Sequence, residues 1–178
     1  MSTFDQAFEI VVGHEGGFDQ TDSDPGNWTG GSVGAGSLHG TKYGISAASY
    51  PNLRIAALTL ADAQAIYQRD YWNPIAADRL PTPLALLVFD AAVNNGVGRA
   101  GRWLQGVVGA GADGVVGDQT LAAVSTYLAS QGAPSLCAEF MAQRFAFMAG
   151  LPTWRIFGLG WARRLCALPY QSLTLGAS

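Results

Sequence analysis

Two acidic side chains near the start of the chain, Glu15 and Asp24, stand in settings that suit acid–base chemistry. Glu15 lies seven residues after Phe8 and four after Val11, on the apolar stripe of a helix read over residues 4–15. A carboxyl there is partly desolvated and close to the negative end of the helix dipole, and both effects raise its pKa. A carboxylic acid that keeps its proton near neutral pH can protonate an acetal oxygen. Acetal hydrolysis generally recruits a second carboxylate, about 5 Å away as a nucleophile or about 6.5–9.5 Å away with water between. Asp24, held in the rigid turn Asp24-Pro25-Gly26, is preferred for that role over Asp19 and Asp22, which lie in a looser run. The residues alone leave other readings open. Glu15 can be a solvated helix-end side chain beside Gly16-Gly17, and Asp24 can be an ordinary turn residue. Spacing does not decide between retention and inversion, which depends on the distance between the carboxyls.

The elements that must position these groups are mostly helical. Thr3 and Gln6 have capping-box spacing, and Phe4, Phe8, Val11 and Val12 repeat at helical intervals until Gly16-Gly17. Residues 19–49 are rich in Gly, Ser, Thr, Asp and Asn with isolated aromatics, and predict an irregular lobe with short strands near Thr41 to Ile45. Thr59 caps a second helix that runs to Trp72 and is ended by Pro74. Thr82-Pro83 opens a third over residues 84–95, apolar nearly all round, closed by Gly96 and therefore central and buried. Further helices are read over residues 99–108, 118–129, 134–149 and 158–167, with a Gly-rich turn at 109–117.

The 178-residue chain fits one domain, or one domain with two lobes. With 49% hydrophobic and 13% charged residues, global disorder is excluded. A net charge of −3 offers no electrostatic footprint for nucleic acid. No basic and apolar leader resembling a secretory signal is visible, and the most apolar stretch, Leu84 to Val93, is too short to span a bilayer. Cys137 and Cys166 lack metal-ligand spacing and read as small buried hydrophobes more readily than as a disulfide. His14 points away from the Glu15 side of the helix, and His14 and His39 have no ligand set around them, so neither a catalytic metal nor a cofactor is expected.

The strings His14-Glu15-Gly16-Gly17-Phe18, Asp24-Pro25-Gly26 and Gly40-Thr41-Lys42-Tyr43-Gly44-Ile45-Ser46 resemble the catalytic segment of glycoside hydrolase family 108. Tyr71-Trp72, the run Phe89 to Gly96 and the run Asp113 to Thr120 also look like that family, in order, so the resemblance covers residues 4–165. It implies a lysozyme-like fold and N-acetylmuramidase activity on peptidoglycan, with Glu15 as catalytic acid. The family's C-terminal region is described as a predicted peptidoglycan-binding part, which here implies residues 1–97 as catalytic region and 98–178 as that second part, packed as one unit. One departure stands out: Asn27 to His39, Gly-rich and carrying Trp28, intervene where many members pass almost directly from the Asp-Pro-Gly turn to the Thr-containing strand. The interval from Glu15 to Asp24 also resembles the glutamate–aspartate spacing of phage-type lysozymes, where a threonine follows closely. Thr41 comes later, and either positions water or sugar or satisfies backbone groups at a strand end.

Glycans are held by aromatic faces and by amide or hydroxyl groups. Trp28, Tyr43 and Trp72 are the aromatic candidates, Asn94, Asn95 and Gln105 the amides. The competing readings are a core place for Trp72 and C-terminal capping for at least one of the asparagines. Asp90, alone in an apolar helix, reads as structural, holding an arginine or backbone donors. The expectation is a mainly α (α+β) lysozyme-like chain, its small β lobe flanking a cleft. It would act as a monomer on glycan strands of the wall and reach them from the cytoplasm through a holin or export partner, with no stable membrane insertion. A lytic transglycosylase and an inactive wall-binding or phage structural protein are the alternatives.

Overall fold

The computed structural model describes residues 1–13 and 17–175. Six α-helices and a two-stranded sheet form among them: α1 (Thr3–Val11), β1 (Thr41–Lys42), β2 (Ile45–Ser46), α2 (Leu60–Tyr67), α3 (Thr82–Asn95), α4 (Val97–Val108), α5 (Asp118–Ala149) and α6 (Trp154–Thr174). Two compact units result, Met1–Ala7 with Gln68–Ser178, and Phe8–Tyr67. The 97/98 division read from the sequence falls at the first residue of α4, inside the former.

Helix α1 begins and ends differently from the sequence reading. Its cap is one residue earlier: Ser2 Oγ accepts from the Asp5 backbone N–H at 3.1 Å and Asp5 accepts from the Ser2 backbone N–H at 2.9 Å. It closes at Val11 rather than 15, because Gly13 adopts a left-handed φ of 78° and its N–H turns back to the Phe8 carbonyl. The periodicity of Phe4, Phe8, Val11 and Val12 is real, but glycine ends the helix two residues later.

In the helical unit, α3 is enclosed, with every residue from Leu84 to Ala92 buried. It packs against α4, α5 and α6, which is what a helix apolar all round requires. The second predicted helix is regular only to Tyr67. A π turn then covers Gln68–Trp72 and a 3-10 turn containing Pro74 follows. The π turn shifts the helical phase and delivers Trp72 into an aromatic cluster with Phe4 and Phe89, at ring centroid separations of 5.5 and 5.3 Å. Helix α5 joins the two segments predicted at 118–129 and 134–149, with the break between them at Gly132 (φ 80°, ψ 166°). Helix α6 extends well beyond the predicted 158–167.

A buried charge ties three of these helices together. Asp90 of α3 has no exposed surface, and Arg144 of α5, 1% exposed, forms an ion pair with it at 2.6 Å. Arg164 of α6 reaches the other carboxylate oxygen. Asp90 is therefore structural, as its isolation in an apolar helix implies. Burial lowers the Arg144 pKa from its ordinary value, while the adjacent Asp90 opposes that effect.

In the other unit, Phe8, Ile45, Ala47, Ile55, Leu58, Ala63, Ile66 and Tyr67 supply the buried apolar side chains. The two strands pair antiparallel, Thr41 with Ser46 and Lys42 with Ile45, leaving Tyr43-Gly44 as a two-residue turn.

Two outcomes follow from these packings. Arg144→Met leaves a buried carboxylate short of a partner, and is expected to lower unfolding free energy by about 3–5 kcal/mol, measured by urea denaturation. The cysteines are both free, Cys137 half-buried with its thiol pushed up to about 11 by burial, Cys166 exposed rather than buried as the sequence suggested. At about pH 8, iodoacetamide should label Cys166 in the folded chain well before Cys137, as read by peptide mass spectrometry.

Candidate active site

The polar lobe is organised by one buried amide. Asn27 has no exposed surface, and its side-chain N–H groups donate to Asp19 Oδ2 at 2.8 Å and to the Thr21 carbonyl at 3.0 Å. Its own carbonyl accepts from the backbone N–H groups of His39 and Gly40, both at 3.0 Å. Asn27 thus closes both ends of the segment that departs from the resembled family. Between those ends the chain is a tight hairpin-like loop: Trp28 bridges Leu38, Thr29 donates to Ser37 at 2.9 Å, and Gly30 donates to Ala35 at 3.0 Å. The sequence reading passed over Asn27; its place directly after Asp24-Pro25-Gly26 is the one signal that pointed to a capped turn.

Asp19 is bound from three sides. Thr21 donates to its Oδ1 from the hydroxyl at 2.6 Å and from the backbone at 3.2 Å, and Asn27 donates to Oδ2. The Thr21 hydroxyl, then the Asn27 amide, hold its carboxyl below the ordinary value of 3.8, so it stays ionised. Its backbone pairs with Thr41, at 2.9 Å and 2.7 Å in the two directions, which anchors β1 to the residues that follow Glu15 in the chain.

Asp24, exposed, accepts from the Gly26 N–H at 2.8 Å through Oδ1 and so caps the 3-10 turn Pro25–Asn27. It therefore carries the turn role that the sequence left open, with one oxygen committed to the backbone. Thr41 is half-buried in β1, and its backbone makes the Asp19 and Ser46 pairings. Trp28, also half-buried, donates from Nε1 to the Asp22 carbonyl at 2.7 Å.

Tyr43 occupies a left-handed φ of 52°, a costly conformation for a bulky residue, and Gly44 follows at 73°. The strain is held from outside the turn. Tyr67 donates its hydroxyl to the Tyr43 carbonyl at 3.0 Å, and a Cβ on Gly44 would come within 2.6 Å of that hydroxyl. Lys42 donates to the carbonyls of Ala56 and Leu58, and its ammonium lies 5.5 Å from the Tyr43 ring centre. Tyr43 is thus a fixed aromatic at a hairpin tip, an arrangement suited to meeting a sugar face.

Two expected contacts are corrected. Trp72 is fully buried among Phe4 and Phe89, with Nε1 donating to Asp78 at 2.8 Å, so it offers no ring face to a ligand. Gln105 is 1% exposed, and its amide donates to Asp113, the Val115 carbonyl and Thr120 while accepting from the Gly114 N–H. It clamps the Gly-rich turn onto α4 instead, where Gly101 lies so close that a Cβ would be 2.5 Å from the Gly114 carbonyl oxygen. For Trp72 the competing core place holds, and for Gln105 the amide is satisfied inside the protein. Asn94 is exposed and donates to the Asp90 carbonyl one helical turn back at 2.8 Å. Asn95 is half-buried and accepts from Arg144 at 2.9 Å. Glu15 and His14 lie outside the described residues. Among the described residues no group of three or more His, Cys, Asp or Glu could hold a metal ion, and no helix is long and apolar enough to cross a membrane.

Residues 8–96 match the Glycosyl hydrolase 108 family. The chain belongs to that family. This family 108 hydrolase is also similar to the solved structure of SagA from Brucella abortus, with a TM-score of 0.78 and 32% identity over 99% of this chain and 97% of that one. No curated protein matches it. The family match spans Glu15, the Asn27-centred lobe, the hairpin and α3, and stops at the start of α4. The mainly α lysozyme-like fold, glycoside hydrolase activity and a lysozyme-like role in degrading cell-wall peptidoglycan follow from that membership and likeness.

An Asn27→Ala chain should lose one of the donors that hold Asp19 ionised. Because the folded Asp19 pKa lies below the unfolded value, its stabilising contribution is present above pH 3.8 and is lost as pH falls through the folded value. In a carbon-detected NMR titration the Asp19 midpoint is expected below 3.8 in the native chain and higher in Asn27→Ala.

Proposed function

We propose that the enzyme is an N-acetylmuramidase that hydrolyses the β-1,4 bond between N-acetylmuramic acid and N-acetylglucosamine. The observation that carries this reading is the family match over residues 8–96, which takes in the His14-Glu15-Gly16-Gly17-Phe18 string together with the lobe built around Asn27. In this reading Glu15 protonates the glycosidic oxygen, and the sugar departs through an oxocarbenium-like transition state. Asp24 supplies the second carboxylate, using the oxygen not bound to Gly26 to stabilise positive charge or to activate water. Thr41, placed at the edge of β1, orients water or the sugar. Tyr43 and Trp28 provide aromatic surface for the glycan, and Asn94 and Asn95 offer amides for its N-acetyl and hydroxyl groups. Residues 98–178 contribute contacts to the wall polymer. Lysis of the wall in the manner of an endolysin, by a monomer delivered through a holin or export partner, is the corresponding physiological reading.

Glu15→Gln is expected to cut the rate of clearing of purified peptidoglycan by about 10²–10⁴-fold, the range that a general acid supplies. Mass spectrometry of the soluble muropeptides should show hydrated reducing ends. Full activity in Glu15→Gln, or products ending in 1,6-anhydro sugars, would overturn the assignment, the latter in favour of a lytic transglycosylase.

A further inference from the structure

Half of the large apolar side chains exposed among the described residues sit on one helix. Ile156, Phe157, Leu159, Tyr170 and Leu173 of α6 make up five of the ten. Single exposed apolar residues need no explanation, whereas a cluster marks a surface that something covers. The cluster is densest at the start of the helix. Between Trp154 and Trp161 the only buried residue is Gly158, and Ile156, Leu159 and Phe157 are 75%, 67% and 53% exposed.

This end of α6 is preformed. Trp154 lies across Gly158, where a Cβ would come within 2.8 Å of the indole, and its ring centre stands 5.5 Å from that of Phe145 in α5 and 6.0 Å from that of Trp161. Phe157 in turn stands 5.8 Å from Trp161. These ring contacts hold the first turns of α6 while leaving Ile156 and Leu159 in solvent.

Charge and geometry together select the occupant. Helix α6 contains Arg155, Arg163 and Arg164 and no acidic residue, in a chain whose net charge is −3. Arg164 is committed to Asp90, whereas Arg155 and Arg163 are exposed beside the apolar cluster. At about 100° per residue, Phe157 and Leu159 point about 160° apart, with Ile156 between them. A helix packed on a protein typically buries a stripe of roughly 100°, while fluid lipid closes around a projecting end from every exposed side. A second copy would set one cationic face against another, because a two-fold interface pairs the same patch with itself. Aromatic and aliphatic side chains interleaved with arginines are the composition of a helix that rests in a bilayer interface, the arginine stems lying on apolar surface while their heads reach phosphates.

We infer that the N-terminal end of α6 docks on an anionic phospholipid surface, with Ile156, Phe157 and Leu159 entering the headgroup boundary and Arg155 and Arg163 meeting the phosphates. The docking is peripheral, since no helix among the described residues is long and apolar enough to cross a membrane. On the muramidase reading it confines the enzyme to the glycan strands nearest the membrane; the docking itself does not rest on that reading.

The test is co-sedimentation of the full chain with sucrose-loaded vesicles at about 0.1 M salt. One set holds equal parts of phosphatidylglycerol and phosphatidylcholine, the other phosphatidylcholine alone, and neither contains peptidoglycan. The chain should bind the anionic set at least about tenfold more tightly than the neutral one, and about 0.5 M salt should weaken that binding. Ile156→Ser with Leu159→Ser should lower the anionic partition at least about tenfold through lost apolar burial. Arg155→Gln with Arg163→Gln should lower it by a similar factor through lost charge. All four substitutions fall at exposed positions, and circular dichroism reports whether each variant keeps its helices. The inference is overturned if the chain binds neither set, if it binds the neutral set as tightly as the anionic one, or if either folded double variant binds as the native chain does. A dimer seen by light scattering in place of vesicle binding, and dissolved by Ile156→Ser with Leu159→Ser, would overturn it in favour of a contact between copies.

Discussion

A carboxylate with no exposed surface in the middle of an apolar helix can exist only where cations come to it, and the helical unit is arranged around that requirement at Asp90. Leaving such a charge unpaired costs several kcal/mol, whereas pairing it fixes which faces of neighbouring helices must turn inward. Arg144 brings α5 to α3 and Arg164 brings α6 to the same carboxylate. Arg144 also donates to Asn95 at the end of α3, so the pair fixes the C-terminal turn of that helix, which carries Asn94. Apolar burial alone would tolerate small rotations of α5 and α6 about α3; directional bonds to two oxygens do not.

The other unit depends on a neutral counterpart of the same principle. Asn27 is a buried amide rather than a buried charge, and it ties together three stretches of chain with little apolar content of their own. A segment rich in Gly, Ser and Asn would normally be mobile, because it buries too little apolar surface to offset the entropy of ordering it. Here the ordering comes from polar closure: Asn27 holds Asp19, Asp19 pairs with Thr41, and Thr41 opens the hairpin whose tip is Tyr43. Tyr67 and Lys42 then secure the strained turn from its flanks. The residues proposed to meet the glycan in this unit are therefore presented by hydrogen bonds rather than by a hydrophobic core.

Much of this was legible before any coordinates. The Thr59 cap of the second helix, the buried α3 opened at Thr82-Pro83 and closed at Gly96, the short strands at Thr41 and Ile45, and the structural role of Asp90 all follow from local rules, and all are present. Errors gathered where two local signals competed. Ser2 and Asp5 outcompeted Thr3 and Gln6 as the cap of α1, and Gly13 stopped that helix ahead of the Gly16-Gly17 pair. The aromatic face of Trp72 and the amide of Gln105 suggest glycan contacts from the sequence, whereas Trp72 takes the competing core place with its Nε1 on Asp78, and the 113–120 turn occupies the Gln105 amide.

By itself the sequence determined the family, the helical periodicities, and the order of acid, turn, hairpin and central helix, because each is written in contiguous residues whose propensities and spacings act locally. It did not reveal that Asn27 closes a loop twelve residues later, nor that arginines from α4, α5 and α6 converge near the end of α3. Those arrangements join positions up to 74 residues apart, as in the Arg164–Asp90 bond. Only packing decides which distant donors reach a buried acceptor, since hydrogen bonds and ion pairs act over a few ångströms and depend on where folded helices place their ends.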